Sequence, residues 1–193
     1  MHPRLMIGLV AALLFTTAGS AYLVAERADA GDSMPAASAE MKWLERIVGE
    51  FEVHAHVLMM KGPDAKSTLR AVVKPIMGGR FIQEHMTGMI AGSEFESMAI
   101  MGYNEYAKHY FSTAVDTNTP GSINIKGMRE GDMIKWESVS IDVKTGKPVR
   151  TRGIERISDD GERTIKLAVV MPDGGQIPFI EMRYVPIKDD SAE

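Results

Sequence analysis

The 193-residue chain contains no cysteine. This absence excludes disulfides, thiolate metal ligands and a cysteine nucleophile. The chain also lacks an excess of positive charge, because 22 basic residues face 26 acidic ones and the formal net charge is -4. Such a surface repels phosphate backbones, so the composition predicts no nucleic-acid partner.

Motifs that define a reaction are missing as well. The sequence has no G-x-S-x-G nucleophile elbow, no H-E-x-x-H zinc motif and no G-x-x-x-x-G-K phosphate loop. We therefore assign no catalytic residue, no metal site and no cofactor from motifs. What is present is an ordinary globular composition, 45% hydrophobic and 25% charged, which suits a single domain with one substantial core.

Residues 1–30 have the layout of a secretory signal. A cationic start at residues 1–4 precedes an uninterrupted apolar run at residues 5–15, and small, polar residues follow. Cleavage fits after Ala21 or after Ala30, because small residues precede both positions. The prediction is a periplasmic or secreted protein whose core and sheet stabilise it without disulfides.

An uncleaved anchor is the alternative interpretation of the same segment. Residues 5–25 carry no charge, and about 20 apolar residues are enough to cross a bilayer. This interpretation anchors the protein in the inner membrane and still places its folded part outside the cytoplasm. Membrane contact is then confined to the N-terminal segment, and the oligomeric state stays open.

Three further segments follow the signal. Small, polar and proline residues at 31–40 predict a flexible linker, residues 41–187 predict the folded domain, and residues 188–193 predict a disordered tail. The domain begins with one short helix that extends from the N-cap Ser38 to Val48. Its apolar stripe is predicted to comprise Met41, Leu44 and Val48, with Trp43 and Ile47 beside them.

After Gly49 the apolar residues alternate with a period of two, which indicates β-strands joined by short turns. About nine or ten strands are predicted, near residues 51–60, 67–76, 80–88, 94–103, 109–116, 122–128, 132–141, 148–157, 163–171 and 178–185. Serial strands without helical crossovers pair antiparallel. Because closure removes exposed edges, we predict a mainly β fold, an antiparallel up-and-down barrel, with a β-sandwich as the alternative.

Scattered residues resemble one bacterial family across roughly residues 41–187. They are Gly49-Glu50-Phe51, Met77-Gly78-Gly79-Arg80-Phe81-Ile82, the run Phe95 to Tyr103 with Asn104, Tyr110 to Asp116, Lys144-Thr145-Gly146 and Arg150-Thr151-Arg152. The pattern is similar to that of the domain-of-unknown-function family fifteen seventy-nine. The resemblance implies a lipocalin-like barrel that is often exported and has no established activity.

A barrel of this size can hold a small ligand, and we predict that this protein binds a small apolar molecule inside. The candidate ligand-binding residues are Phe81, His85, Met101, Tyr103, Phe111 and Trp136. One alternative is an enzyme that uses the same cavity, with Glu84, His85 or Asp116 as acid or base. Another is an envelope interaction protein whose interior is packed solid.

Other chemistry has weaker support in the sequence. His54 and His56 share one strand face, but two ligands do not make a strong metal site. The 15 methionines suggest copper in an exported protein, yet they are spread like adaptable core fillers and form no dense metal tract. The same-face residues Arg150, Arg152 and Arg156 suit an anion, or an outer surface paired with residues such as Glu137.

Overall fold

The structure is a computed structural model that describes residues 38–142 and 145–187. The predicted signal or anchor, most of the linker and the tail lie outside these residues. No helix within the described ranges is both long and apolar enough to cross a membrane.

The N-terminal helix forms as α1, Ala39–Leu44, and continues as a 3₁₀ turn, Glu45–Ile47. Ser38 caps it as predicted, because its Oγ accepts a hydrogen bond from the backbone N–H of Met41 at 3.2 Å. The helical segment ends at Ile47, next to the predicted end at Val48, but the prediction that Val48 belongs to the apolar stripe is wrong. A 3₁₀ turn has three residues per turn, so Ile47 is buried in line with Leu44, while Val48 is 38% exposed.

Ten antiparallel strands form a closed barrel in which each strand pairs with its neighbours in the chain and the last pairs with the first. This confirms the barrel and excludes the sandwich. The strands are β1 (Gly49–Val57), β2 (Lys66–Ile76), β3 (Phe81–Ile90), β4 (Ser93–Asn104), β5 (His109–Asp116), β6 (Thr119–Glu130), β7 (Met133–Ile141), β8 (Pro148–Ile157), β9 (Arg163–Val170) and β10 (Gln176–Pro186). A further 3₁₀ turn, Pro63–Ala65, precedes β2.

The turn between β5 and β6 is shorter than the sequence suggests. The predicted strands end at residue 116 and begin again at residue 122, which places Pro120 and Gly121 in the turn, but the two strands already pair at Asp116 and Thr119. Pro120 is tolerated because a proline near the start of a strand removes little ladder bonding. The tight turn brings Asp116 and the first residues of β6 to the same end of the barrel.

Inward and outward side chains alternate along the strands, as the period of two predicts. In β1, Phe51, Val53 and Ala55 are buried in the interior. His54 lies on the outer face, where its Nε2 is 3.1 Å from Glu52 Oε1. One end of the barrel is closed by α1 and the 3₁₀ turn after it, whose Met41, Leu44 and Ile47 are part of the hydrophobic core.

Polar contacts hold the helix on the closed end. Arg46 Nη2 donates to the carbonyl of Ser158 at 3.1 Å and to Asp159 Oδ1 at 3.2 Å. Tyr110 donates its hydroxyl to the carbonyl of Glu40 at 3.2 Å. These bonds reach two different hairpins and therefore hold α1 across this end of the barrel. The opposite end is left open.

Candidate functional site

The interior contains a cavity of about 460 Å³ that extends toward the end opposite α1. Apolar side chains line it from most strands of the barrel: Met86, Ile90, Phe95, Ala99, Met101, Ala114, Ile123, Ile125, Trp136, Ile165, Leu167, Phe179, Ile180 and Met182. Polar side chains come mainly from β4 to β8: Ser97, Ser112, Asp116, Thr119, Ser138, Ser140 and Thr151. Pockets of this kind combine apolar burial with a few orienting polar groups.

A charged cluster crosses the lumen at the inner end of this cavity. Arg163 Nε donates to Glu155 Oε1 at 2.6 Å, and Arg163 Nη1 donates to Glu84 Oε2. All three residues are buried, with exposed fractions of 3%, 1% and 7% for Arg163, Glu155 and Glu84. Arg163 lies on β9 and Glu84 on β3, so the second ion pair joins strands that are not neighbours in the barrel.

Two aromatic donors complete the cluster. Trp136 Nε1 donates to Glu155 Oε2 at 2.6 Å, and the Tyr184 hydroxyl donates to Glu84 Oε1 at 3.2 Å. Every carboxylate oxygen of the two acids therefore has a hydrogen-bond donor. The Arg163 guanidinium carbon also lies 4.5 Å from the centre of the Tyr184 ring, which adds a cation–π contact. Buried charges require this kind of complete pairing.

Burial and charge act in opposite directions on Arg163. Removal from water disfavours the charged guanidinium, but the carboxylates of Glu155 and Glu84 outweigh that effect and raise the pKa of Arg163 above its ordinary value. Burial also raises the pKa of Tyr184 well above 10.0, and the neighbouring Glu84 raises it further. The phenol therefore remains a proton donor to Glu84 throughout the neutral range.

The raised pKa of Tyr184 predicts a loss of stability in alkali. Above about pH 10 the unfolded chain releases the tyrosine proton while the folded protein retains it, so the free energy of unfolding falls as pH rises. Tyr184 lowers the free energy of unfolding by about 1.4 kcal/mol for each pH unit above pH 10, and it has no such effect at lower pH. Urea unfolding between pH 8.5 and 11 should show this decline, and Tyr184→Phe should make it shallower.

Tyr106→Phe is the matched control, because the Tyr106 side chain is 95% exposed. It should leave the alkaline slope as in the parent protein. Burial also raises the pKa of Tyr110, so part of the slope should persist in Tyr184→Phe. An identical slope in Tyr184→Phe and the parent protein would contradict the assignment.

A glycine makes room for the indole that reaches Glu155. A Cβ atom added to Gly127 would lie 2.4 Å from Cε3 of Trp136 and 2.6 Å from Cγ2 of Ile134. Any larger residue at 127 must therefore displace the indole or the backbone. The small residue on β6 thus sets the position of the Trp136 donor on β7, with which it pairs directly.

The structure separates the predicted ligand-binding residues into three groups. Met101 and Trp136 line the cavity. Tyr103 points inward but packs on Tyr110, with ring centres 5.0 Å apart, near α1. Phe81 and Phe111 pack together on the outer face, where both rings cover Gly102.

His85, the remaining predicted ligand-binding residue, lies on the outer face, where its Nε2 is 2.8 Å from Glu96 Oε1 and its side chain is 41% exposed. It does not line the cavity. Residues 84 and 85 are consecutive in β3, so their side chains leave opposite faces of the sheet. Glu84 and His85 therefore do not meet, and His85 is removed from the acid–base candidates of the enzyme alternative. The other two candidates, Glu84 and Asp116, both line the cavity.

Glu155 and Arg163 are not among the residues predicted from the sequence. Their positions in the strands are the signal that could have found them, because Glu155 lies on the same inward face as Gly153 and Ile157, and Arg163 on the same inward face as Ile165. A charge at an inward position must be paired or hydrogen-bonded. Two acids and one base at inward positions of different strands indicate a buried ion-pair cluster, although parity alone does not show that they meet.

The other sequence candidates lie outside the barrel interior. Arg152 pairs with Glu137 at 2.8 Å on the outer face, as the surface interpretation predicts. Within residues 38–142 and 145–187, no group of three or more histidine, aspartate or glutamate side chains is placed to hold a metal ion. A depression of about 400 Å³ on the outside of β7 to β10 contains Lys135, Lys166 and Glu181. It lacks the buried charged residues Glu84, Glu155 and Arg163, which lie in the interior cavity, and we therefore take the interior cavity as the candidate site.

Comparison with known proteins supports the fold. The fold matches 16 solved chains. One of them is the crystal structure of Rv2717c from M. tuberculosis. It is 12% identical, with a TM-score of 0.55, and the alignment covers 79% of this chain and 99% of that one. No curated protein matches the sequence. A family model described as "Protein of unknown function (DUF1579)" matches residues 36–185. The chain therefore belongs to this family.

Proposed function

We propose that the protein is an exported barrel that binds a small, largely apolar molecule in its interior. The observation that carries the proposal is the cavity of about 460 Å³, whose lining combines apolar side chains with hydroxyl and carboxylate groups. Its volume lies in the range of sites for small organic ligands, roughly 300–1,000 Å³. A cavity of this size also argues against the alternative of an interaction protein whose interior is packed solid.

Apolar burial supplies the affinity in this proposal. Each 100 Å² of ligand surface removed from water contributes about 2.5 kcal/mol, at roughly 25 cal/mol per Å². The side chains of Met86, Phe179 and Met182 offer such a surface on one wall. Methionine side chains adapt to irregular ligand shapes, so this wall favours a conformationally flexible ligand.

The test uses the neutral fluorophore Nile red, which brightens in apolar surroundings. Ala114 lines the cavity and Val115, the next residue of β5, is 50% exposed on the outer face. Ala114→Phe should fill the cavity and weaken binding at least tenfold, whereas Val115→Phe should bind like the parent protein. Saturable binding of one Nile red per chain is the expected result.

Two outcomes would overturn the proposal. One is equal binding by Ala114→Phe and the parent protein, which would place the dye on the outer surface. The other is no binding by any variant together with an empty solvent extract of the purified protein in mass spectrometry. Folding of Ala114→Phe is checked by its urea midpoint, and Ala99→Phe on the paired position of β4 is the replacement if it fails.

Export is the second part of the proposal and is supported by the apolar and small-residue pattern of residues 1–30. N-terminal sequencing of the protein from fractionated cells tests it. A new N-terminus after residue 21 or 30 in the soluble envelope fraction is expected for a signal. An intact N-terminus in the membrane fraction identifies the anchor, and an intact one in the cytoplasm refutes export.

A further inference from the structure

We infer that the preferred ligand is an uncharged amphiphile, in which an apolar chain carries a head group with two neighbouring hydroxyl or carbonyl oxygens. The head group binds to the hydroxyls of Ser112, Ser138 and Thr151. This inference rests on the proposed function, since it names the chemical class that the same cavity selects. It is carried by the position of these hydroxyls, by their lack of partners in the described part of the chain and by the pairing of the charged side chains.

The three hydroxyls lie at one level of the cavity. Ser138 on β7 pairs directly with Thr151 on β8, and on its other side with Ile125 on β6. Ile125 in turn pairs with Ser112 on β5. All four side chains line the cavity. We call Ser112, Ser138 and Thr151 the hydroxyl row, with Ile125 between its first two members.

The hydroxyl row is free to bind a ligand. No hydrogen bond from another residue within 38–142 and 145–187 engages any of the three hydroxyls. Ser112 is only 7% exposed, and no fully buried side-chain N or O atom in those ranges lacks a partner, so its Oγ is open to the cavity space. A ligand group that cannot replace the hydrogen bonds of water at such hydroxyls loses affinity. The row therefore disfavours a ligand without polar atoms.

The spacing of the row fits one small head group. Directly paired residues such as Ser138 and Thr151 have Cβ atoms roughly 4.5–5.5 Å apart. Ser112 and Ser138 are two strands apart, about 10 Å at the backbone, and their inward side chains approach each other inside the closed barrel. Two hydrogen bonds of about 2.8 Å cover more than half of that distance. Two neighbouring oxygens on one head group can therefore bridge the row.

Charged head groups find no such free partners. Arg163 is bound by Glu155 and Glu84, and all four oxygens of these two acids accept hydrogen bonds. Both oxygens of Asp116 accept hydrogen bonds within its own turn. Glu137, which also borders the cavity, pairs on the outer face. A buried carboxylate or ammonium would lack an unengaged partner of opposite charge, and such burial is costly.

An uncharged head group avoids that cost. Hydroxyls donate and accept hydrogen bonds, so the row can bind either the hydroxyls or the carbonyl oxygens of a ligand. Ile125 lies where it can contact the carbon atoms that join them. The apolar chain is left to the apolar side chains that line the rest of the cavity.

The experiment compares four ligands with the same eight-carbon chain: 1,2-octanediol, 1-chlorooctane, octanoate and octylamine. Each displaces Nile red from the purified protein at pH 7, below the concentration at which it self-associates. The diol should bind at least tenfold tighter than octanoate and octylamine. The double variant Ser138→Ala/Thr151→Val should weaken diol binding at least tenfold, whereas 1-chlorooctane, which has no hydroxyl, should bind at least as tightly as to the parent protein.

Thr68→Val/Thr87→Val is the matched control. Both threonines are exposed on the outer face, on β2 and β3, so the diol should bind this variant as it binds the parent protein. Valine and alanine keep the shape of the side chains that they replace apart from the hydroxyl. The urea midpoint checks folding, and Ser112→Ala replaces the double variant if that variant is unfolded.

The outcomes separate the two proposals. Equal diol binding by the parent protein and the hydroxyl-row variant overturns the inference, while Nile red binding still supports the cavity. Tighter binding of octanoate or octylamine than of the diol overturns it as well, as does an equal loss of diol binding in the control variant. Failure of Nile red itself to bind in the cavity refutes the proposed function, and this inference with it.

Discussion

Arg163→Met is expected to lower the free energy of unfolding by about 3–5 kcal/mol, because it leaves two buried carboxylates without their cation. Methionine fills a similar volume, so the loss reflects charge and not a cavity. The ion pairs of Arg163 with Glu155 and Glu84 are buried on both sides, and the side chains have at most 10% exposure. Urea unfolding at pH 7 measures the difference.

The rescue variant removes the acids as well. Glu84→Gln and Glu155→Gln added to Arg163→Met leave no buried charge, and each amide oxygen still accepts from Tyr184 or Trp136. Most of the lost stability should return, since a buried ion-pair cluster replaced as a whole costs little.

Arg152→Met is the control for the same substitution on the surface. Arg152 pairs with Glu137 at 2.8 Å, but its side chain is 46% exposed, so the expected loss is about 1 kcal/mol or less. A similar loss for Arg152→Met and Arg163→Met would show that the buried cluster has no special weight. A triple variant no more stable than Arg163→Met would point to packing instead of charge.

Leu44→Ala is expected to destabilise the barrel by about 2–5 kcal/mol, which combines lost burial with a cavity under the helix. Leu44 is fully buried with 0% exposure and belongs to the core cluster that closes the barrel end. For a domain of this size the melting temperature should fall by roughly 2–4 °C per kcal/mol. Calorimetry or thermal circular dichroism measures it.

Lys42→Ala is the matched control, because Lys42 lies on the exposed side of the same helix. Alanine has the best helix propensity, so this variant should be within about 0.5 kcal/mol of the parent protein. If Leu44→Ala were equally neutral, α1 would be a loose attachment and not the closure of the barrel. Nile red binding to Leu44→Ala then shows whether the closed end also matters for the cavity.

The fold was predicted in detail because it follows from local patterns. Alternation with a period of two marks each strand and its inward face, and short turns force neighbouring strands to pair antiparallel. Ser38 predicted the start of the helix, because a serine side chain at this position can accept a hydrogen bond from a free backbone N–H of the first turn. The helix end was predicted less well, since Ile47 and Val48 are both apolar and only packing on the barrel selects between α and 3₁₀ geometry.

The candidate site was predicted in part. Met101 and Trp136 line the cavity, but Phe81, Phe111 and His85 lie on the outer face, where two aromatic rings cover Gly102. The aromatic residues suggested a cavity wall, but residue type does not show which face of the sheet a side chain occupies. Alternation along the strand does show it, because Ile82 and Glu84 point inward and Phe81, next to Ile82, therefore points outward.

By itself the sequence determined about nine or ten strands, their antiparallel order and the alternation of side chains between two faces, because these depend on neighbours along the chain. Only the tertiary structure decided that Arg163 meets Glu84, which is 79 residues away, and that a cavity remains beside them. Contacts across a lumen depend on the tilt and stagger with which the barrel closes. No local period encodes those two quantities, and so the site emerges only when the first strand pairs with the last.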